Sequence, residues 1–197
     1  MKNPLVLDDQ FIFHPESDIK TVFENDNPVE VEIGCGRGTL LIHLARENPG
    51  HNFLAIEWAS KFYRYTADRI RRWNLTNAKI LRTDARDFVM QKIVHETIDV
   101  FHIYFPDPWP KKRHHKKRFF IPQCCNALFR SLKSGGKIYA ATDHKHYFDQ
   151  IELNLTSIPG LTTCQFDSPA GNEILTNWEA KFKKEGRTIY RLAVMKV

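Results

Sequence analysis

The 197-residue chain has no apolar run near the roughly 18 residues that would cross a bilayer. It has no linker rich in Gly, Ser or Pro, no internal repeat and no low-complexity tract, which excludes repeat arrays and strings of small modules. Its start, "MKNPLVLDDQ", lacks the basic and apolar blocks of a secretion signal. Cysteine is scarce: Cys35, Cys124, Cys125 and Cys164, none in a C-x-x-C pair. That argues against a zinc site and for reduced, mostly buried thiols. A cytoplasmic protein with no metal and no membrane partner is the expectation. The length and 42% hydrophobic content suit one α/β domain over 1–197, with 1–27 as an N-terminal extension.

Acid is missing from one place in particular. The chain carries 29 Lys or Arg against 23 Asp or Glu, a formal charge of +6. The run Lys111 to Arg118, "KKRHHKKR", holds six Lys or Arg and no carboxylate. The rest of the chain balances, so the whole excess sits in one segment. Such a patch attracts phosphate polyanions in a salt-dependent way, and nucleic acid is the partner that charge alone suggests. A solvated surface loop is the plainer alternative.

The hydrophobic pattern alternates strand and helix. Strands are expected at 28–35, 52–58, 78–84, 98–106 and 137–143, with helices at 38–50, 59–74, 85–96, 119–133 and about 144–157. Ser134-Gly135-Gly136 is read as the stop of the fourth helix. Segments 161–167 and 188–197 read as a closing antiparallel pair with a long loop between them. Five strands with helical crossovers predict a mostly parallel sheet covered on both faces, seven-stranded once the C-terminal hairpin is added. Ligands bind such sheets at the carboxyl ends of the strands. Glu32 to Gly38, Glu57, Asp84, Asp107 and Asp143 all fall there.

"VEIGCGRG" ends the first strand. Gly34, Gly36 and Gly38 allow a tight turn and close approach of a ligand. The spacing is G-x-G-x-G, with Thr39 where a dinucleotide fingerprint needs its third glycine. Glu32 would also repel a pyrophosphate, yet attract the ammonium and sulfonium of S-adenosylmethionine. Glu57 lies 23 residues after Gly34, near the offset of an acid that accepts ribose hydroxyls. Asp84 ends the third strand, where it could accept from an adenine amino group or cap the next helix. S-adenosylmethionine fits this set better than a nicotinamide or flavin cofactor.

The fourth strand runs into "FPDPWPKKRHHKKR". Its tip should lie beside that of the first strand, which brings Asp107 to the cofactor's methyl group. Pro106, Pro108 and Pro110 restrict the backbone around Asp107 and Trp109. Asp107 could instead form an Asx-turn, and Trp109 could stack on a base or seal a core edge. This stretch resembles the signature of the bacterial tRNA (guanine-N7)-methyltransferase family. "EIGCGRG", "AIE", "DA", "ATD" and "TNWEAKF" follow in that family's order, so the resemblance covers about residues 29 to 193. One departure is Trp178, where the family usually has Tyr.

The resemblance implies a Rossmann-like class I methyltransferase with Glu32, Gly34, Gly36, Gly38, Glu57, Asp84 and Asp107 at the S-adenosylmethionine site. Asp107 would be the catalytic position. Lys111, Asp143, Thr176, Asn177, Trp178 and Glu179 would meet the RNA substrate. Lys112, Arg113, Lys116, Lys117 and Arg118 would grip its phosphates. A helix N-cap is the alternative role for Thr176. The implied reaction methylates N7 of a guanine in the tRNA variable loop, position 46, by a monomer or homodimer. The rivals are amino-group methylation of another nucleic acid, since "DPWP" is faintly similar to a D-P-P-Y box, and a non-catalytic RNA-binding module.

Overall fold

The computed structural model describes residues 6–7, 19–167 and 176–197. In chain order the elements are β1 (Val6–Leu7), α1 (Lys20–Phe23), β2 (Val29–Ile33), α2 (Thr39–Glu47), β3 (Asn52–Ile56), α3 (Ser60–Arg72), β4 (Ala78–Leu81), α4 (Ala85–Gln91) and β5 (Ile98–Tyr104). A 3-10 segment, Lys112–Lys117, follows. The chain continues through α5 (Pro122–Ser131), β6 (Leu132–Thr142), α6 (Lys145–Thr156), β7 (Leu161–Cys164), α7 (Asn177–Lys184) and β8 (Tyr190–Lys196).

The sheet order is β1-β4-β3-β2-β5-β6-β8-β7. Neighbours from β1 to β6 run parallel; β8 is antiparallel to both β6 and β7. The expected sheet is therefore present, with β1 as an additional two-residue edge strand. That strand falls in the expected N-terminal extension, which lies mostly outside the described residues. The chain winds outward from β2 to β4, then returns to lay β5 on the other side of β2. The tips of β2 and β5 are thus adjacent while their connections diverge, the switch point where open α/β sheets bind ligands.

Strand alternation sorts the interior into two layers. Val29, Val31 and Ile33 of β2 join Leu54, Ile56, Phe101, Ile103 and Ile138 beneath α4, α5 and α6. The opposite face packs Phe53, Ala55 and Ala141 against Leu40, Leu41 and Leu44 of α2 and Ala67 and Ile70 of α3. Each fully buried aliphatic side chain contributes roughly 1.5–3 kcal/mol. Glu30 and Glu32 project to that second face and are buried with it.

Three elements depart from the sequence pattern. Helix α5 starts at Pro122, where the missing N–H costs nothing, and ends at Ser131. Strand β6 begins at once, so Gly135 and Gly136 lie inside a strand instead of ending a helix. The pairing of β6 with β5 shifts register between Ile98 and Val100. Gly135 takes φ 77°, and a Cβ at Gly136 would lie 2.9 Å from the Lys133 carbonyl. The glycines serve a bulge. Helix α4 stops at Gln91, short of the expected 96, because Glu96 adopts φ 55° and the amides of Glu96 and Thr97 bond to Arg130 and Ser131. Helix α7 occupies much of what reads as the long closing loop.

Candidate active site

The loop after β2 is built by its glycines. Gly34, Gly36 and Gly38 have φ of 74°, 54° and 66°, the left-handed region that favours glycine. A Cβ on Gly38 would also fall 2.4 Å from Thr66 Cγ2. The loop's amides turn inward: Gly34 and Cys35 donate to the Ile56 carbonyl, Gly36 to Glu57 Oε2 at 2.8 Å, and Gly38 to the Cys35 carbonyl. Helix α3 holds the outer carbonyls, with Thr66 Oγ1 donating to Gly36 at 2.9 Å and Arg69 Nη1 to Arg37 at 2.7 Å. A phosphate cradle needs free amides. These four are already bonded.

What the loop offers instead is a carboxylate. Glu32 is 7% exposed. It accepts from the Leu41 amide in the first turn of α2, while Oε2 has no partner among the described residues. Burial, with the charge of Glu57 adding to it, pushes its carboxyl up to about 8. An unpaired buried carboxylate oxygen is costly, and a cationic hydrogen-bond donor relieves that cost. Glu32 forms part of the wall of a cavity of about 320 Å³, with Gly34, Cys35, Gly36, Arg37, Thr39, Leu40, Phe62 and Tyr104. Thr176, Asn177, Trp178 and Lys181 complete it from the other side.

Those last residues belong to the start of α7. Thr176 caps the helix, its hydroxyl accepting from the Glu179 amide at 3.0 Å. Thr39 Oγ1 donates to Asn177 Oδ1 at 3.2 Å and ties the helix to the glycine loop. Glu179 is 2% exposed and anchors α7 through Arg191 and Lys183. Trp178 is half exposed and stacks on Phe182, which meets Phe105 edge-on at 5.4 Å.

The tip of β5 is held under backbone strain. Phe105 and Trp109 adopt φ of 52° and 41°, uncommon for bulky residues and frequent at functional sites. Asp107 is exposed between them. Arg118, expected in the phosphate-gripping patch, turns inward and is fully buried. Its Nε donates to the Pro108 carbonyl at 2.8 Å, Nη1 reaches Gln150, and the guanidinium lies 4.7 Å over the Tyr147 ring. The Tyr147 hydroxyl accepts from the amides of Phe119 and Phe120. Arg118 is thus the clamp of the turn. Lys111, Lys112, Arg113, Lys116 and Lys117 stay exposed, with no carboxylate partner among the described residues. Lys117 Nζ sits 4.9 Å over the Trp109 ring, and Arg86 holds the Lys116 carbonyl.

Comparison with known proteins shows the family and the fold. Residues 26–192 match a family model described as "Putative methyltransferase". A tRNA (guanine-N(7)-)-methyltransferase of Geobacter metallireducens is 31% identical over 96% of this chain and 94% of that protein. One from Nitrosomonas europaea is 35% identical over 87% of this chain and 78% of its own length. The chain belongs to the tRNA (guanine-N7)-methyltransferase family. Among solved structures, the aminoglycoside resistance methyltransferase NpmB1 superposes with a TM-score of 0.64 at 14% identity, covering 95% of each chain. A precorrin-6y C5,15-methyltransferase from Geobacter metallireducens gives 0.60 at 13%, over 88% of this chain and 81% of that one. These two share the Rossmann-like methyltransferase fold.

The residues that the family resemblance implied divide in two. Glu32, Gly34, Gly36, Thr176, Asn177 and Trp178 line one cavity. Gly38, Glu57, Asp84, Asp107, Lys111, Asp143 and Glu179 do not line it. Glu57 gives one oxygen to Gly36 and the other to the Ala59 amide, each oxygen keeping a further lone pair. Asp84 caps α4 through the amides of Arg86 and Asp87. Asp143 pairs with Arg187 at 2.8 Å. Sequence reasoning missed Tyr104, Phe62 and Lys181. The strand period could have found Tyr104, two residues before the proline turn. Burial raises the thiols of Cys124 and Cys125 to about 11 and about 12, in keeping with inert structural cysteines.

Proposed function

We propose that the protein transfers the methyl group of S-adenosylmethionine to N7 of a guanine in the tRNA variable loop, at position 46. The observation that carries this reading is Glu32, a buried carboxylate on the wall of a cavity at the switch point, one of whose oxygens has no partner among the described residues. It suits the ammonium end of the methyl donor. The inward-bonded glycine loop suits a ligand without phosphates. S-adenosylmethionine, when bound, supplies an electrophilic methyl group and a thioether leaving group.

Guanine N7 has a lone pair and no proton, so a strong general base is not needed. The protein's work is to position and polarise. Asp107 accepts hydrogen bonds from the guanine N1 or amino edge, aligns N7 and raises its electron density. Trp178, on the cavity wall, stacks against the extruded base, since a base inside folded RNA must leave its stack to react. Lys111, Lys112, Arg113, Lys116 and Lys117 bind phosphates at the mouth, and Asp143 and Glu179 act through the ion pairs that place Arg187 and α7. Glu57 and Asp84 retain lone pairs for the ribose and adenine.

The test is transfer of labelled methyl groups to unmodified tRNA, followed by borohydride reduction and aniline cleavage. Label with a single cut in the variable loop is the expected result, and Asp107→Asn lowers turnover at least a hundredfold. Label without a cut means amino-group methylation. Binding of tRNA without label means an RNA-binding module.

A further inference from the structure

A line of hydrogen-bonded side chains runs beneath the cavity, and nothing in the reading above uses it. In the parallel register Glu32 of β2 is opposite His102 of β5, so Glu30, Glu32, His102 and Tyr104 project to one face of the sheet. His51 Nδ1 lies 2.7 Å from Glu30 Oε1. His102 Nε2 lies 2.6 Å from Glu30 Oε2, and His102 Nδ1 lies 3.2 Å from the Tyr104 hydroxyl. His102 is 1% exposed and stacks parallel to Tyr139, centroids 5.9 Å apart. Tyr104 is the one member that reaches the cavity wall, which it shares with Glu32.

The donors and acceptors can be assigned one by one. Burial opposes ionisation of Glu30, yet the hydrogen bonds and charges of His102 and His51 leave its carboxyl below the ordinary value. An ionised carboxylate only accepts. His102 must therefore donate through Nε2, and in the singly protonated ring this leaves Nδ1 as a lone pair. The partner of that lone pair is the Tyr104 hydroxyl, so the phenol donates to Nδ1. A phenol has one proton. With it directed at His102, the phenol oxygen keeps only lone pairs for the cavity.

We infer that His102, locked in one tautomer by Glu30, is a positioning residue that takes up the Tyr104 proton, so that Tyr104 presents a hydrogen-bond acceptor on the wall it shares with Glu32. The inference rests on the methyl-donor reading. It adds a specificity device to it: a phenol oxygen with its proton committed to His102, beside the Glu32 carboxylate, favours a primary ammonium over a carboxylate or phosphate at that place. Were the ring reversed, Nδ1 would donate to the phenol oxygen, whose own proton would turn elsewhere and compete with a cationic ligand.

Two measurements test this. Nitrogen NMR of histidine-labelled protein is expected to show His102 protonated at Nε2 and bare at Nδ1; a proton on Nδ1 overturns the inference, whether or not any variant folds. Calorimetry with S-adenosylmethionine is expected to show roughly tenfold weaker binding for Tyr104→Phe and for His102→Gln. The double variant should bind no more weakly than Tyr104→Phe alone, because His102 acts through the phenol. Additive losses, or unchanged affinity in both single variants, overturn it. If the unsubstituted protein binds no S-adenosylmethionine, the methyl-donor reading falls, and the NMR result still decides the orientation of Tyr104.

Discussion

Glu32 concentrates the chemistry of the site in one side chain. A carboxyl held at about 8 when folded and near 4.5 when unfolded takes up a proton on folding between those values. Its contribution to stability is full below pH 4.5 and is lost as pH rises through 8. A cationic ligand needs the ionised form, so affinity for S-adenosylmethionine should rise from pH 6 to 8, with proton release near neutral pH. Calorimetry in buffers of different ionisation enthalpy measures that proton. Glu32→Gln should remove the pH slope and weaken binding at least tenfold. Position alone made Glu32 visible in the sequence, two residues before a glycine loop. Its burial was not visible, because Val-Glu-Val-Glu has the alternation of a half-exposed strand. Arg118 is the opposite case. Counting charges treats every cation in a run alike, and only the fold shows which one turns inward to hold Pro108.

Between Lys112 and Arg118, exposed cations stand next to a buried one, and the two kinds should respond differently to substitution. Replacing Lys112, Lys116 and Lys117 together with Ala should leave the melting temperature nearly unchanged. The slope of log affinity for tRNA against log salt should fall by roughly 2–3, read by filter binding at several salt concentrations. Arg118→Met should do the reverse. It leaves the Pro108 carbonyl and Gln150 without their donor and costs about 3 kcal/mol in urea unfolding. At this scale the long periodic helices and apolar strands were legible. Helix α7 was not: eight residues mixing aromatics and charges show no clear period. Thr176-x-x-Glu179 has the pattern of a capping box, but Glu179 turns instead to Arg191. The Gly135-Gly136 pair misled because a bulge and a helix stop call for the same residue.

Across the whole molecule the alternation of strand and helix, and with it the switch point, followed from periodicity because covered parallel strands must be apolar on both faces. The walls of the cavity come from segments as far apart as Gly34 and Lys181, and no local pattern reports that they meet. Filling such a site couples to global stability. S-adenosylmethionine at a hundredfold over its dissociation constant adds about 2.7 kcal/mol. For a chain of this size that raises the melting temperature by roughly 5–11 °C. Scanning fluorimetry should show this shift in the unsubstituted protein and lose most of it in Glu32→Gln at the same ligand concentration.

The placement of charge has a kinetic consequence. The formal excess of +6 equals the six cations of one short segment at the carboxyl end of the sheet, and the remainder of the chain is balanced. The net positive charge therefore sits at the carboxyl end of the sheet, the end at which the glycine loop and its cavity also lie. In the field of a polyanion the molecule experiences a torque as well as an attraction. Rotation within the encounter complex brings the cavity round toward the RNA before any side chain touches it, and raising the salt concentration should lower the fraction of collisions that arrive in that orientation.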